Sequence, residues 1–300
     1  MNTAELSQPN KFKAWLLAAR PKTLATGFIP VWTATWTAYV QGFAINWFLA
    51  FCAAMVGVWI TIGTNLFNDA IDFKKGSDTN ERLGPDRVTQ KGWLSFNEVM
   101  LGGLISFVIA EFFGAPLILA AGLPLLFLMI ASPICGFCYT GGPFPLAYYG
   151  FGELFVMMFY GFAATLSSYY VQTGQVNTLI FVEALQFGCL ACNVITTNNL
   201  RDIEGDQKSG KKTLVARFGK TFARIVITIN AIIPFILMSY WYKEGYSLSA
   251  FMSAILIPAA AIYLYKIWTT SPSRIYNKFL ALAAAIQLLF GIILWISLLI

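Results

Sequence analysis

Residues 48–78 read FLAFCAAMVGVWITIGTNLFNDAIDFKKGSD, an uncharged apolar run that leads directly into a cluster of Asp and Lys residues. A helix needs about 20 apolar residues to cross a hydrocarbon core roughly 30 Å thick, so residues 48–66 are predicted to span a membrane. The charged cluster should then lie at the membrane surface. Asp69 and Asp72 are three residues apart, and if the helix continues through them, both carboxylates share one face.

Comparable apolar runs recur along the whole chain of 300 residues, of which 58% are hydrophobic and 11% are charged. Soluble proteins do not have this composition. We predict an all-α fold, a polytopic membrane helix bundle with about nine transmembrane helices in a single integral membrane domain over residues 1–300. The predicted spans are residues 24–41, 48–66, 99–115, 118–138, 146–166, 179–198, 223–241, 248–267 and 279–299. We expect a very short turn at residues 114–116, Gly-Ala-Pro, because residues 99–138 are too many for one crossing.

The 20 Lys and Arg residues indicate how these spans are oriented. Cytoplasmic loops of membrane proteins carry an excess of Lys and Arg. With nine spans, every basic residue except Lys243 falls on the side of the N-terminus. We therefore predict a protein of the cytoplasmic (inner) membrane, with the N-terminal segment 1–22 and the loops 67–98 and 199–222 in the cytoplasm and the C-terminus external. The excess of Lys and Arg on the cytoplasmic side accounts for the net charge of +6, so the charge implies no nucleic acid. The expected environment is membrane lipid, and no protein partner is implied.

The chain contains no histidine, which excludes imidazole as a general base, metal ligand or haem ligand. Two pairs of cysteines have CxxC spacing, Cys135 with Cys138 and Cys189 with Cys192. In a soluble loop this spacing would suggest a zinc site or a redox pair. Both pairs lie in apolar span sequence, where Cys packs as a small hydrophobic residue, so we predict that they pack in the core.

All six aspartates lie in two polar segments, the predicted Asp-rich cytoplasmic loops after helices 2 and 6. The first segment contains Asn65, Asn68, Asp69, Asp72, Asp78 and Asp86, and the second contains Asn198, Asn199, Asp202 and Asp206. Asn65 and Asn198 each precede an Asp by four residues, which is one turn along the same helix face. This repeated Asn-x-x-x-Asp pattern suggests an internal duplication that brings the two segments face to face across the bundle.

Paired carboxylates at a membrane surface repel one another unless a cation lies between them. Mg²⁺ prefers a few carboxylates, with waters and phosphate oxygens completing its coordination. The Lys and Arg residues interleaved with the acids would donate hydrogen bonds to those phosphates. A solvated charged loop is the simpler interpretation of either segment alone. The same Asn/Asp spacing at two equivalent places instead favours a site that binds a diphosphate through Mg²⁺.

At these residues the sequence resembles the UbiA-type intramembrane aromatic prenyltransferases. Their Asn-Asp-x-x-Asp motif is matched by residues 68–72, and their later Asp-x-x-x-Asp motif is matched by residues 202–206. The common first motif has a third Asp where this chain has Gly76. That departure, with Lys-Gly-Ser-Asp at 75–78 and Gly-Pro-Asp-Arg at 84–87, is similar to the branch that prenylates 1,4-dihydroxy-2-naphthoate. The blocks at 19–24, 139–143, 152–153 and 210–219 resemble the same branch.

The resemblance implies a lipid-embedded cavity, Mg²⁺ as cofactor, and two substrates, an allylic polyprenyl diphosphate and an aromatic acid. In the naphthoate branch the acid loses its carboxylate and a demethylmenaquinol forms. The resemblance places Mg²⁺ at Asp69, Asp72, Asp202 and Asp206, which form the expected catalytic set together with Lys211. The expected substrate-binding residues are Arg20, Lys22, Asn65, Asn68, Lys75, Asp78, Arg82, Arg87, Tyr139, Glu153, Asn198, Asn199, Arg201 and Lys212.

Several of these roles have a plainer alternative. Arg20 and Lys22 either bind the acceptor carboxylate or anchor the topology. Tyr139, Tyr148 and Tyr149 either lie in an interfacial aromatic belt or face the allylic cation.

Two other functions are compatible with parts of the sequence. The same metal site would serve a family member with another acceptor, such as 4-hydroxybenzoate, homogentisate or a porphyrin derivative. Secondary transporters also have paired intramembrane acids and internal repeats. A transporter should carry ionisable groups near the bilayer midplane, whereas here the acids are concentrated at one surface, so the sequence favours the prenyltransferase.

Overall fold

The computed structural model describes residues 9–77 and 82–300. These residues form an all-α structure without β strands, as predicted. The α-helices in chain order are α1 (Lys11–Ala19), α2 (Pro21–Val40), α3 (Trp47–Lys74), α4 (Phe96–Ala121), α5 (Leu123–Cys138), α6 (Gly152–Val156), α7 (Ala164–Thr173), α8 (Thr178–Arg201), α9 (Ile203–Lys208), α10 (Leu214–Ile236), α11 (Met238–Lys243), α12 (Ser247–Ser253), α13 (Ile257–Thr269) and α14 (Tyr276–Leu299). Between them lie two 3₁₀ turns, Leu146–Tyr149 and Ala254–Leu256, and a π-helical segment, Met157–Ala163.

Seven helical segments in the described ranges are long and apolar enough to cross a membrane. They are Trp47–Lys74, Phe96–Ala121, Gly152–Thr173, Thr178–Arg201, Leu214–Lys243, Ser247–Thr269 and Tyr276–Leu299. Two further helices occupy the positions of predicted spans. α5 is shorter, with 16 residues, and α2 has 20 residues but includes five threonines. The total of nine spans remains a prediction.

The prediction of a turn at residues 114–116 is wrong. α4 continues through Gly114 and Pro116 to Ala121, and the chain breaks at Gly122 instead. Gly122 has φ +72°, a backbone conformation that glycine adopts without steric penalty. Pro116 lacks the N–H donor of one helical hydrogen bond, but membrane helices tolerate such a proline when their neighbours support it. The third span is therefore longer than predicted and the fourth is shorter.

The predicted loop bounds of 67–98 and 199–222 are wrong, because α3 continues to Lys74 and because most of 199–222 is helical, in α8, α9 and α10. α3 contains Asp69 and Asp72 in its last turns. α8 ends at Arg201, Asp202 caps it, and Asp206 lies in the short helix α9. Tertiary contacts, such as those of Val88 and Thr89 with Asp69, hold these polar residues in place, and such contacts readily override local propensity.

The fifth predicted span, 146–166, begins and ends later than expected. Residues 146–149 form the first 3₁₀ turn, and the helical segment runs from Gly152 to Thr173. Its π-helical part approaches α8 so closely that a Cβ on Gly161 would lie 2.6 Å from the Cα of Gly188. Only glycine permits backbones to approach at this distance, as at many helix interfaces in membranes. This contact fixes the fifth span against α8.

Polar residues that precede or follow the spans connect the helices at one end of the bundle. The backbone N–H of Asn46, before α3, donates to Gln172 Oε1 in α7 (2.9 Å). Asn177, before α8, donates to Gln41 Oε1 after α2 (3.1 Å). α3 and α8 both start at this end. Their Asp-bearing C-terminal ends therefore lie together at the opposite end of the bundle.

The largest cluster of buried apolar residues lies among α8 and the helices from α10 to α14. Trp241 in α11 is fully buried there, and its indole N–H donates to Gln186 Oε1 (2.9 Å). The second half of the chain is thus densely packed. The large internal space of the protein lies elsewhere, between α2, α3, α5, α8 and α14.

Candidate functional site

A cavity of about 700 Å³ lies between these helices and the segment Gly152–Thr173. Among the residues predicted to form the site, those that line it are Arg20, Asn65, Asn68, Asp69, Arg82, Arg87, Tyr139, Asn198 and Arg201. Apolar residues line the remainder, including Ala53, Leu125, Met129, Phe159 and Leu288. A cavity of this kind suits a ligand with one charged end and a long apolar part.

The cavity is elongated in the direction of α3. Asp69 lines its polar end and Ala53 lines its apolar part, sixteen positions apart on the same helix. At about 1.5 Å per residue, the cavity extends roughly 24 Å along α3, close to the roughly 30 Å of a bilayer core. A ligand in it would lie along the membrane-spanning helices with its charged end beside Asp69.

Backbone groups and a positive charge hold Asp69 at the polar end of the cavity. Asp69 is 2% exposed, and its carboxylate accepts hydrogen bonds from the backbone N–H groups of Val88 (3.3 Å) and Thr89 (3.0 Å). The guanidinium of Arg87 lies between two carboxylates, 4.0 Å from Asp69 Oδ2 and 3.6 Å from Asp72 Oδ2. The segment after α3 thus folds back over the helix end and neutralises its acids.

Asp72 lies one turn further along α3 and contacts Tyr148 in the first 3₁₀ turn. The Tyr148 hydroxyl donates to Asp72 Oδ1 (2.9 Å) and lies 2.6 Å from Ser77 Oγ. Two ammonium groups lie against the ring of Tyr148, Lys75 Nζ at 4.3 Å and Lys211 Nζ at 5.1 Å from its centroid. Desolvation lowers the pKa of Lys75. Tyr148 therefore connects the end of α3 with the segment that follows α9.

The second motif is built around Arg201, which is 2% exposed. Arg201 donates to both carboxylate oxygens of Asp202, from Nε to Oδ1 (2.8 Å) and from Nη2 to Oδ2 (2.6 Å). It also donates to Oδ1 of Asn198 (2.8 Å) and to Oδ1 of Asn277 in α14 (2.7 Å). Because a guanidinium is planar, these bonds fix its orientation at the cavity wall.

Asp206 is buried beside the second motif. Burial raises the pKa of Asp206 to about 6, and the Lys211 ammonium, whose Nζ lies 4.0 Å from Oδ1, opposes that rise. The negative charges of Asp202 and Asp72 raise the pKa further. Asp72 and Asp206 come from different motifs, so the two motifs are close enough for their charges to interact. Carboxylates that repel in this way favour a cation between them.

The two motif segments are also in direct contact. Asn277 accepts from Arg201 and donates to the backbone oxygen of Leu83 (2.9 Å). A Cβ on Gly84 would lie 2.7 Å from Arg201 Nη2. The segment after α3 is therefore packed onto the end of α8, without space for a side chain at Gly84.

Arg20 joins α1 to α2 with φ +53°, and no other non-glycine residue in the described ranges has a positive φ. Both the backbone N–H and the Oγ1 hydroxyl of Thr23 donate to its carbonyl (2.9 Å each). Asn65 Nδ2 donates to the carbonyl of Ala19 and to Thr23 Oγ1 (3.1 Å each). Strained backbone persists only where such contacts hold it. Asn65 therefore uses its amide N–H groups on this turn, beside the point where Arg20 lines the cavity.

Glu153 and Asn199 form a buried pair beside the cavity. Glu153 is 7% exposed, and its Oε1 accepts from Asn199 Nδ2 (2.9 Å). Neither is among the residues that line the cavity. On the same side, Thr140 Oγ1 donates to Asn68 Oδ1 (2.8 Å). These bonds attach α6 to α8, and the segment after α5 to α3.

Two of the remaining predicted site residues, Lys212 and Arg82, have contacts outside the two motifs. Asp78 and the side chain of Lys22 lie outside the described residues. Lys212 is exposed, and its backbone N–H donates to the carbonyl of Tyr148 (2.9 Å). Arg82 Nε donates to a nearby backbone carbonyl (3.2 Å).

The motif residues fit Mg²⁺ by their chemistry. The carboxylates of Asp69, Asp72, Asp202 and Asp206 are hard oxygen donors, which Mg²⁺ prefers. In the part of the chain that the structure describes, no three Asp, Glu, Cys or His side chains are grouped closely enough to hold a metal by themselves. Mg²⁺ commonly binds one or two carboxylates and takes its other ligands from water and phosphate. These residues would therefore hold the ion together with a bound diphosphate.

Comparison with known families identifies the group of proteins that carry this site. The model of the UbiA prenyltransferase family matches residues 28–295. The chain belongs to this family. The resemblance seen in the two Asp motifs is thus confirmed, and as a UbiA family member with seven long apolar helices in its described part, the protein is an integral membrane protein.

Curated UbiA relatives include two enzymes named 1,4-dihydroxy-2-naphthoate octaprenyltransferase. The one from Haemophilus influenzae is 31% identical, and the match covers 97% of each chain. The one from Escherichia coli is 35% identical over 72% of each chain. A structure of a UbiA homolog from Archaeoglobus fulgidus bound to DMAPP and Mg²⁺ has a TM-score of 0.66 at 16% identity and covers 93% of this chain and 98% of its own. A UbiA homolog from Aeropyrum pernix K1 has a TM-score of 0.68 at 15% identity and covers 92% and 96%. These structures show that the fold is shared.

Two contacts of the UbiA site have no counterpart in the sequence prediction. Tyr148 was considered only for the allylic cation or an aromatic belt, and its place between the blocks at 139–143 and 152–153, which resemble the family, was the available signal. Nothing in the sequence indicated a role for Asn277, because its partner Arg201 is 76 positions away along the chain.

Proposed function

We propose that this chain transfers a polyprenyl group from an allylic polyprenyl diphosphate to 1,4-dihydroxy-2-naphthoate, with loss of the carboxylate, to give a demethylmenaquinol. The observation that carries the proposal is one cavity whose charged end, at Asp69, Arg87 and Arg201, continues into an apolar interior. A polyprenyl diphosphate has the same division into an anionic head and an apolar tail. The naphthoate acceptor is supported by the curated relatives, several of which carry that activity in their names at 31–35% identity.

The charged end of the cavity would bind the diphosphate. The four motif aspartates would hold Mg²⁺, which neutralises phosphate charge and makes the diphosphate a better leaving group. Arg87 and Arg201 lie against these acids, and their planar guanidinium groups suit paired hydrogen bonds to phosphate oxygens. Lys75 and Lys211 add two ammonium groups nearby. The fold thus places its cations before the substrate arrives, so little reorganisation is needed when charge develops.

Departure of the diphosphate breaks the allylic C–O bond, and the electron pair leaves with the diphosphate. Water would quench the allylic cation that remains. Residues such as Leu125, Met129 and Phe159 line the cavity and exclude water from it. The reaction therefore belongs inside the bundle rather than in an exposed loop.

The electron-rich naphthoate ring attacks the cation through the carbon that bears the carboxylate, and a new C–C bond forms. The carboxylate then leaves as CO₂, and the electron pair of the broken C–C bond restores the aromatic ring. Because CO₂ leaves instead of a proton, this ring carbon needs no general base. The absence of histidine from the chain agrees with such a reaction.

We assign the acceptor's carboxylate to Arg20. Arg20 lines the cavity near Asn65 and Asp69, and its backbone is held in one strained conformation. A guanidinium binds a carboxylate through charge-assisted hydrogen bonds. Asn65 then acts by holding Arg20 through Ala19 and Thr23.

We also propose that the charged end of the cavity faces the cytoplasm, with the C-terminus external. The concentration of basic residues at that end supports this orientation. Reporter fusions after Arg87 and Arg217 should be cytoplasmic, and a fusion after Ile300 should be external. A cytoplasmic C-terminus would contradict nine spans.

Product analysis tests the proposed reaction. Purified protein is incubated with Mg²⁺, polyprenyl diphosphates of several lengths, and 1,4-dihydroxy-2-naphthoate, 4-hydroxybenzoate or homogentisate, and the products are identified by mass. We expect prenylated naphthoate without its carboxyl group, and carboxyl-labelled naphthoate should release one label per product. A carboxylated product or a preference for 4-hydroxybenzoate would contradict the acceptor assignment. Absence of any prenyl transfer would contradict the function.

A further inference from the structure

The hydroxyl of Tyr148 bonds to two groups at the end of α3. It donates to Asp72 Oδ1 (2.9 Å), and Ser77 Oγ lies 2.6 Å away. A phenol has one proton, so while Tyr148 donates to Asp72, Ser77 donates to the phenol oxygen. Arg87 contacts the other oxygen of the same carboxylate (3.6 Å). The orientation of Asp72 is thus determined from both sides.

The ring of Tyr148 contacts one lysine from each motif segment. Lys75 follows the first motif and lies 4.3 Å from the ring centroid, and Lys211 follows the second and lies 5.1 Å from it. Two ammonium groups this close to one ring repel each other, while the negative charge of the ring face attracts both. Lys75 also donates to the carbonyl of Thr140 (2.6 Å). The ring therefore holds two cations together that would otherwise move apart.

The backbone of Tyr148 is attached to the second motif segment. Its carbonyl accepts from the backbone N–H of Lys212 (2.9 Å), and the backbone N–H of Lys211 donates to the carbonyl of Asp206 (2.9 Å). The Tyr148 side chain thus reaches the first motif while its backbone is bonded to the segment of the second.

We propose that Tyr148 is a positioning residue for the diphosphate, which fixes the Asp72 carboxylate and the ammonium groups of Lys75 and Lys211 relative to one another. The inference rests on the proposed function, since that function supplies the diphosphate. Tyr148 is not among the residues that line the cavity, so it acts through these three neighbours rather than by touching the substrate.

The two parts of the Tyr148 side chain can be removed separately. Tyr148→Phe loses the hydroxyl and its bonds to Asp72 and Ser77, but keeps the ring beside both lysines. Tyr148→Leu loses the ring as well. A role in positioning therefore predicts graded effects, with Tyr148→Phe recovering part of what Tyr148→Leu loses.

Tyr149 is the matched control, since it is the neighbouring residue in the same 3₁₀ turn. Its ring stacks on Phe144 with centroids 4.1 Å apart, and its side chain is exposed. Tyr149→Phe and Tyr149→Leu change the same chemical groups without touching the motif residues. They should leave diphosphate binding unchanged.

The experiment measures binding of geranyl S-thiolodiphosphate, an unreactive analogue, to the purified full-length protein in detergent with Mg²⁺ by isothermal titration calorimetry. Tyr148→Phe should weaken binding about threefold to tenfold, the net effect of one typical hydrogen bond, because the lost bond acts on the ligand only through Asp72. Tyr148→Leu should weaken it by about thirtyfold or more, because two cation–π contacts are also lost. In steady-state kinetics the KM for the polyprenyl diphosphate should rise, whereas the KM for the naphthoate should not change.

Two results would overturn the inference. One is a Tyr148→Leu variant that binds the analogue as tightly as Tyr149→Leu does. The other is an equal rise in both KM values, which would indicate general damage to the fold. If the wild-type chain neither binds the analogue nor prenylates the naphthoate, the proposed function itself fails and the inference fails with it.

Discussion

Replacement of Asp202 by Asn should destabilise the protein in the absence of any ligand, in addition to impairing turnover. Both carboxylate oxygens of Asp202 accept hydrogen bonds from Arg201, at 2.8 Å and 2.6 Å. The Asp202 side chain is 19% exposed, but the Arg201 side chain is only 1% exposed. The variant thus removes the negative charge that neutralises a buried guanidinium.

The loss of stability depends on how many of the interactions of Arg201 remain in the Asp202→Asn variant. Removal of one partner from a fully buried ion pair costs about 3–5 kcal/mol. Asp202 is partly exposed, Asn keeps one acceptor oxygen, and Arg201 keeps its bonds to Asn198 and Asn277. A hydrogen bond to a charged group contributes about 1.5–3 kcal/mol, so we expect the free energy of unfolding to fall by about 2–3 kcal/mol.

The assay is SDS titration of the purified protein in mixed micelles, with tryptophan fluorescence and circular dichroism as signals. Glu204→Gln, two positions further on, is the matched control. Glu204 pairs with Lys220 at 3.4 Å, but the two side chains are 75% and 45% exposed. Loss of such a surface pair should change the free energy of unfolding by less than about 1 kcal/mol.

If Asp202→Asn and Glu204→Gln unfold alike, the ion pair does not hold Arg201, and the account of the second motif is wrong. If Asp202→Asn loses stability but retains Mg²⁺-dependent turnover, Asp202 serves as the structural partner of Arg201 and not as a metal ligand. The stability and turnover measurements on the same preparations therefore separate the two roles.

Three further outcomes are expected. Removal of Mg²⁺ by excess chelator should abolish turnover and its return should restore it, and full activity in chelator would contradict the metal assignment. Gly84→Ala should lower the free energy of unfolding by about 1–3 kcal/mol, because the new methyl group would lie 2.7 Å from Arg201 Nη2. The guanidinium cannot easily move away, since four hydrogen bonds hold it. Gly205→Ala, where a Cβ meets nothing within 4 Å in a helix, should instead be neutral or stabilising by up to about 1 kcal/mol, and the same SDS titration compares the two. Arg20→Ala should raise the naphthoate KM by about tenfold or more with little change in the diphosphate KM. Asn65→Leu should raise the naphthoate KM to a smaller extent. A rise in the diphosphate KM alone, measured by steady-state kinetics, would assign both residues to the diphosphate.

The sequence was sufficient for the fold class because a bilayer demands a particular pattern. Unpaired backbone groups are too costly in hydrocarbon, so a run such as residues 48–66 has helix as its only simple solution. The spacing of Asp69 and Asp72 predicted a shared helix face because helix geometry is local. The family followed from the same residues, and the match over residues 28–295 confirms it.

Helix ends were harder to predict, because local signals compete with packing that the sequence does not display. The Gly-Ala-Pro at 114–116 has the composition of a turn, yet neighbouring helices support α4 through it, and Gly122 provides the break. The Asp segments have the charge of loops, yet α3 and α8 continue into them.

Only the tertiary structure decided which groups meet at the site. The sequence by itself determined that this chain spans a membrane, belongs to the UbiA family and carries two Asp motifs. It did not determine that Tyr148 bonds to Asp72 from 76 positions away, or that Asn277 bridges Arg201 and Leu83. These partners are distant along the chain and come together through the packing of several helices at once. No local pattern encodes that packing, since many residues would suit position 148 or 277 until α3, α8 and α14 are in place.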